Sequence, residues 1–339
     1  MVTAASSKTA QQALYRAAAR ATLAPSIHNT QPWRFVVRPG RLELFADSSR
    51  AVPVVDPEGR QLAISCGAAL LGARLSLAAA GFGVRVELLP DASAQPDLLA
   101  VLVLDETESR DQSAHRLDLA ARSRRSNRRE FGEANLRTEV VDALHDGAHR
   151  EGASLQFVTG LDDRIAVAML AQRAAEIQLE DPAYRVELRA WTTNDPERTD
   201  GVPAAAVPHV SGRPDESRDE VPIRGFDTTS SGQLPGETRS SLHQTLFVIA
   251  TAADHRRDWL IAGQALYRVL LELTDAGYVA SIFSQVCEVP STRQELRHRL
   301  RLSANPQLLL RAGIAPPTAP TPRRPLPDVI RVADDAAPS

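Results

Sequence analysis

The 339-residue chain predicts an architecture of interleaved helices and strands, α/β or α+β, assembled from two similar halves. Three observations carry this. Hydrophobic residues make up 43% and charged residues 24%, enough apolar material for a packed core. Residues 60–81 (RQLAISCGAALLGARLSLAAAG) recur as 256–277 (RRDWLIAGQALYRVLLELTDAG) at a constant offset of 196. Apolar runs of strand length flank both copies: RFVVRPG at 34–40 and LLAVLVL at 98–104, then LQFVTG at 155–160 and PQLLLRAG at 306–313.

The elements follow in order. A first helix ends at the irregular segment 24–35 (APSIHNTQPWRF), where two prolines fix the backbone. Ser26, Asn29 and Gln31 leave hydroxyl and amide groups there to face a ligand, although a capped turn before a strand accounts for the same residues. In each repeat copy, leucines at i, i+3 or i+4 and i+7 predict a buried or amphipathic helix. A glycine opens each run (Gly67, Gly263) and another stops it (Gly81, Gly277). Two Ala/Leu-rich helices can also match by composition alone. The arginine-dense stretch 120–131 separates the halves. Within the second, residues 181–240 are rich in Pro, Gly and charge with little periodicity. Such a loop is a lid, a binding segment or disordered; Tyr184, Trp191 and Phe226 favour a partly ordered lid. The chain after Asp328 is expected to fray. The expected division is therefore 1–120 as one half, 121–180 with 241–331 as the other, 181–240 as the lid-like insertion and 332–339 as a tail.

Several function classes drop out. A net charge of −3 argues against a general nucleic-acid binder or a polybasic membrane protein. Cys66 and Cys287 lie far apart, so neither a disulfide scaffold nor a cysteine zinc site is supported. His145 and His149 have metal-ligand spacing on a helix but no acidic third ligand nearby, which favours surface histidines and no metal. No basic-then-apolar leader opens the chain, and the apolar run 62–73 ends at Arg74, short of the roughly 20 residues of a membrane span. A soluble, cytoplasmic protein without membrane or nucleic-acid partners is expected. Dinucleotide, Walker A, zinc-protease and serine-hydrolase motifs are missing from the sequence.

Two basic segments remain. Residues 122–129 (RSRRSNRR) offer arginine forks with serines between them, which suit a phosphate because guanidinium binds it bidentately and keeps its charge. Residues 321–328 (TPRRPLPD) hold a basic pair stiff between prolines. A solvated charge run or a local RNA patch accounts for each one taken alone. Together with 24–35 they resemble the FMN-dependent nitroreductase family. APSIHNTQPW is similar to its A-P-S-x-x-N-x-Q-P-W motif, RRSNR to its opening Arg-x-Ser-x-Arg/Lys motif, and PRRPL to its closing basic motif. The order of DPEGRQLAISCGAAL, RRSNRREF, the insertion, WLIAGQALYRVLL, SQVCEVP, PQLLLRAG and PRRPLPDVI resembles the single-chain, Acg-type members of mycobacteria over residues 10–331.

The resemblance implies an α+β sandwich, the nitroreductase-like fold, whose pseudo-symmetric halves imitate the family's homodimer. It implies that Arg124, Arg125, Ser126 and Arg128 hold the flavin phosphate and pyrimidine edge, and that Arg323 and Arg324 close the phosphate clamp. Pro25, Ser26, Ile27, His28, Asn29 and Gln31 would line the isoalloxazine from the other half, with His28 a further titrating group. Ser284 and Gln285 fall where the family contacts flavin N5. Each half has lost a different motif: the first reads SSKTAQQ where an Arg-Ser motif belongs, and the second reads HDGAHREGAS before LQFVTG. One complete composite site remains, so one FMN per chain and a monomer are expected. The implied activity passes electrons from NAD(P)H through FMN to a small acceptor, a nitroaromatic or quinone. The alternative is an FMN-storing protein whose lid covers the flavin.

Overall fold

The computed structural model describes residues 4–108, 111–129, 131–132, 135–207 and 244–333; residues 208–240 of the expected lid and 334–339 of the tail lie outside them. Helix α1 (Ala4–Ala21) leads through one 3₁₀ turn (Ile27–Asn29) into the hairpin β1 (Trp33–Arg38) and β2 (Arg41–Ala46). Helix α2 (Arg60–Ala79) then crosses to β3 (Val84–Leu88) and β4 (Leu98–Leu104). After α3 (Ala114–Ala120) the pattern returns with α4 (Thr138–Arg150) and β5 (Ser154–Val158). It is interrupted by α5 (Leu161–Glu180), α6 (Pro182–Ala190), β6 (Thr192–Thr193) and β7 (Val202–Pro203). It resumes with β8 (Thr245–Thr251), α7 (Arg256–Asp275), β9 (Val279–Ile282), α8 (Gln285–Glu288), α9 (Pro290–Arg299) and β10 (Asn305–Gly313). Helix α10 (Leu326–Val329) and β11 (Ile330–Val332) follow.

The two main sheets run β11-β1-β2-β4-β3 and β5-β8-β10-β9. Leaving β11 aside, the strand orders are the same when β5, β8, β9 and β10 stand for β1 to β4. The insertion occupies the place where the first half has only the turn Pro39–Gly40 between paired Arg38 and Arg41. The α+β class is thus seen directly, with helices packed between and against two largely antiparallel sheets.

At the centre α2 lies against α7, and the glycines of the repeat explain why. A Cβ on Gly67 would sit 2.2 Å from the Leu260 carbonyl oxygen, and one on Gly263 would sit 2.0 Å from that of Ile64. Ile64 and Leu260 are themselves one repeat apart, so the contact is reciprocal, as across a two-fold axis. Both helices end alike: Gly81 (φ +91°) and Gly277 (φ +83°) adopt the left-handed conformation after the last turn. Phe82 N then donates to Leu77 O, and Tyr278 N to Leu273 O. Among the described helices α2 alone is long and apolar enough to cross a membrane; its side chains are nearly all buried inside the protein, as the core helix of both halves.

Two segments of irregular composition are ordered where the structure describes them. The start of the insertion is regular because Asp181 accepts the Ala183 N–H and Pro182 opens the helix, a standard start signal. Tyr184, Leu188, Val202 and Val207 form a small core there with Val52 and Val55. Residues 329–333, after Asp328, are ordered rather than frayed. Strand β11 pairs in parallel with β1 (Phe35 with Ile330, Val37 with Val332), and Val329 and Ile330 are buried. This pairing carries the segment 321–325 from the second half onto the first.

Candidate functional site

The loop after α1 is strained and heavily tied down. Among the described residues five non-glycines have positive φ, and three of them are His28 (45°), Asn29 (56°) and Gln31 (52°). Such conformations cost of the order of 1–3 kcal/mol each and persist only where surroundings over-determine them. Here Ile27 N donates to Ser65 Oγ at 3.0 Å and Gln31 N to Ser26 Oγ at 2.9 Å. Asn29 Nδ2 donates to the carbonyls of Gly201 (3.0 Å) and Pro322 (3.1 Å), while its Oδ1 accepts from Arg323 Nη1 at 3.1 Å. Gln31 Nε2 donates to Thr199 O at 2.9 Å, and its Oε1 accepts from Arg324 N at 2.8 Å. The Asn-x-Gln pair therefore pins three chain segments together: the loop, the insertion and the C-terminal basic segment. Trp33 anchors the end of the loop, fully buried in the first core.

Beside this loop lies a cavity of about 930 Å³, its open mouth included. Its wall draws on α2 (Gln61, Ile64, Ser65), α7 (Leu266), β9 (Ser281, Ile282) and β10 (Leu308), and on Val202 of the insertion. Among the described residues three arginines line it, Arg124, Arg128 and Arg323, and no Asp or Glu does. Arg124 is 5% exposed, and among the described residues its Nε and Nη1 have no hydrogen-bond partner. Burial lowers its affinity for its proton. Arg323 bonds only neutral oxygens: the carbonyls of Thr22, Leu23, Ala24, Thr321 and Pro322, the Thr321 hydroxyl and Asn29 Oδ1. Loss of water, with Arg124 beside it, pushes its guanidinium down to about 9. Desolvated cations without a counter-charge are costly, and a bound anion removes that cost.

The sequence-predicted residues separate by register. Segment 124–128 runs extended beside β9, with Ser126 bridged to Ala280. Successive side chains therefore alternate. Arg124, Ser126 and Arg128 face the cavity, whereas Arg125 turns back to the carbonyls of Arg122 and Arg124. The same alternation divides the closing pair: Arg323 lines the cavity, and Arg324 reaches Asp47 (3.3 Å) and the carbonyls of Gln31 and Asp328. Pro25, Ser26, Ile27, His28 and Asn29 are in the wall, but Gln31 is wholly buried in its clamp. Ser284 lines the cavity and donates to Glu288 at 2.7 Å, whereas Gln285 points to Gln178 (2.8 Å). Sequence reasoning missed Gln61, Ile64 and Ser65. A serine inside an otherwise apolar helix, on one face with Gln61 at i−4, was the available signal.

The fold and site define a mixed helix-and-sheet protein with a cavity lined by three arginines. No family model matches the chain. Among curated proteins of Mycobacterium tuberculosis H37Rv, it is 33% identical over 318 residues to one described as uncharacterized, covering 91% of this chain and 90% of that one. It is 32% identical over 315 residues to a "Putative NAD(P)H nitroreductase", covering 91% and 88%. It is 30% identical over 316 residues to the "Putative NAD(P)H nitroreductase acg", covering 91% and 92%. Solved structures include one described as a "putative nitroreductase" from Anabaena variabilis, 12% identical, with a TM-score of 0.47 over 91% of this chain and 89% of that one. Another is a nitroreductase with bound FMN from Desulfitobacterium hafniense, 12% identical, TM-score 0.40, over 64% and 97%. The chain belongs to the Acg-type nitroreductase-like family.

Proposed function

We propose that the chain holds one FMN in this cavity and works as an NAD(P)H-dependent reductase of small nitroaromatic or quinone acceptors. The observation that carries this reading is the cavity wall, which among the described residues holds three arginines and no acid, one of them, Arg124, buried with unpaired Nε and Nη1 groups. Arg124 and Arg323 would take the terminal phosphate, and Ser126 and Arg128 would flank the remaining polar edge. Ile64, Leu266 and Leu308 supply apolar surface for a flat ring, and the strained backbone of His28 and Asn29 approaches it from the other side. When bound, a flavin would supply two-electron redox chemistry between a nicotinamide donor and a small acceptor. The chain contributes orientation, positive potential and control of access; no side chain need act as a nucleophile.

A second reading, flavin storage, draws on the insertion. Gly201 and Thr199 are bonded to Asn29 and Gln31, and Arg128 reaches the Ala206 carbonyl, so this segment is fastened to the site loop itself. An anaerobic visible spectrum separates the two. Bleaching of the flavin band by NADPH within seconds supports the reductase; a band that resists NADPH yet bleaches with dithionite supports storage. A protein purified and reconstituted without any flavin band overturns both.

A further inference from the structure

We propose that Gln61 anchors the ring of the bound cofactor: its side-chain amide donates to a carbonyl oxygen or imine nitrogen on the rim of the heterocycle, apart from the arginines that take the phosphate. This rests on the FMN reading of the same cavity. Gln61 lines the cavity from the first turn of α2 and is 4% exposed. Among the described residues its Nε2 has no hydrogen-bond partner. A buried amide nitrogen without an acceptor is costly, and native interiors hold few of them. An acceptor on the ligand is what this position lacks.

The polar groups around Gln61 are engaged elsewhere. Ser65, one turn further along the same face, donates to the Gln61 carbonyl at 2.7 Å and accepts from Ile27 N at 3.0 Å. Asp56, just before the helix, accepts from the backbone N–H of Leu62 at 2.9 Å and from that of Gln61. The guanidinium groups of Arg124, Arg128 and Arg323 in the wall are donors only, so they cannot serve a second donor.

The ring, and not the phosphate, is the matching partner. Ile64 shares the cavity-facing side of α2 with Gln61 and supplies apolar surface for a flat ring, so the amide meets the same part of the ligand. The repeat shows that the amide serves the cavity rather than the helix. The 196-residue shift places Arg257 and Ile261 where the first copy has Gln61 and Ser65, and Arg257 is exposed. Helix α7 thus forms without a buried amide at this position.

The test measures binding of FMN, riboflavin and inorganic phosphate to the flavin-free protein, for wild type, Gln61→Leu and Gln61→Glu. Gln61→Leu is expected to weaken FMN and riboflavin alike by about tenfold, as for one lost hydrogen bond that leaves a ring acceptor unpaired. Gln61→Glu, which sets an acceptor where the donor was, should weaken both further. Stabilisation by phosphate stays as in wild type. The Tm of flavin-free Gln61→Leu does not fall, because the deleted nitrogen had no partner there. Wild-type affinity of Gln61→Leu for both flavins overturns the proposal and leaves the FMN reading standing. So does weakening toward FMN alone, which puts the amide at the phosphate, or a lower Tm of flavin-free Gln61→Leu, which gives the amide a partner within the protein. If wild type binds neither flavin, the FMN reading itself fails and the ring anchor with it.

Discussion

Gly263→Ala is the sharpest perturbation of the scaffold. The new methyl would lie 2.0 Å from Ile64 O and 2.8 Å from both Ile64 C and Ala68 N, all backbone atoms of α2. Real contacts of this kind are not shorter than about 3 Å, so the helices must part by about 1 Å, and no rotamer change can relieve the overlap. Overpacking a core typically costs about 1–3 kcal/mol. With rigid backbone on both sides we expect the loss at or above ~3 kcal/mol. Urea unfolding of the flavin-free protein measures it. The effect also reaches the site, since Ile64 and Leu266 on the two helices both line the cavity, so a folded variant should bind flavin less well. Gly67→Ala/Gly263→Ala should cost less than the two singles added, because the first methyl already separates the helices for the second. Gly40→Ala is the control: its φ is +72° but nothing lies within 4 Å, so about 1 kcal/mol is expected. A Gly263→Ala variant within about 0.5 kcal/mol of wild type would refute the close-crossing argument.

Other outcomes follow from single contacts. Arg268, 1% exposed, holds Glu151 and Asp111 at 2.6 Å each, so Arg268→Met should destabilise by ~3 kcal/mol or more, read by the same unfolding assay. Asp111 loses water on folding, which raises its carboxyl, but the Ser113 hydroxyl and Arg268 outweigh this and hold it down to about 2. A depressed carboxyl stabilises fully above its ordinary value and loses that contribution as pH falls through its folded value. Stability should therefore drop between about pH 4 and 2, and Asp111→Asn should flatten that limb. Arg323→Ala should weaken flavin binding at least about tenfold, while Arg324→Ala, which loosens Gln31 and Asp47 instead, should do so much less. Equal effects of those two variants on flavin affinity would contradict the register drawn for 321–325.

Much of this was legible in the sequence because it depends on local rules. The repeat, its glycine stops and the three polar segments that meet at the cavity are all set by spacing and residue type. What stayed hidden depends on register and distant partners. Nothing in RRSNR or PRRPL says which of two adjacent arginines faces inward; the bridge of Ser126 to Ala280 and the pairing of β11 with β1 decide it. Strand β11 has three residues, too few to display alternation, and its partner is some 300 residues away in the chain. Gln31 was grouped with the flavin contacts because an amide beside Asn29 looks like a ligand group, yet its positive φ turns it into the clamp on Thr199 and Arg324.

The central claim is a single cofactor cavity per chain anchored by Arg124. It is tested most directly by saturating the protein with FMN, removing the excess and counting the flavin released on denaturation, for wild type and Arg124→Glu. The account predicts one flavin per chain in wild type and essentially none in the variant. Two per chain, or a variant that keeps its flavin, would contradict it.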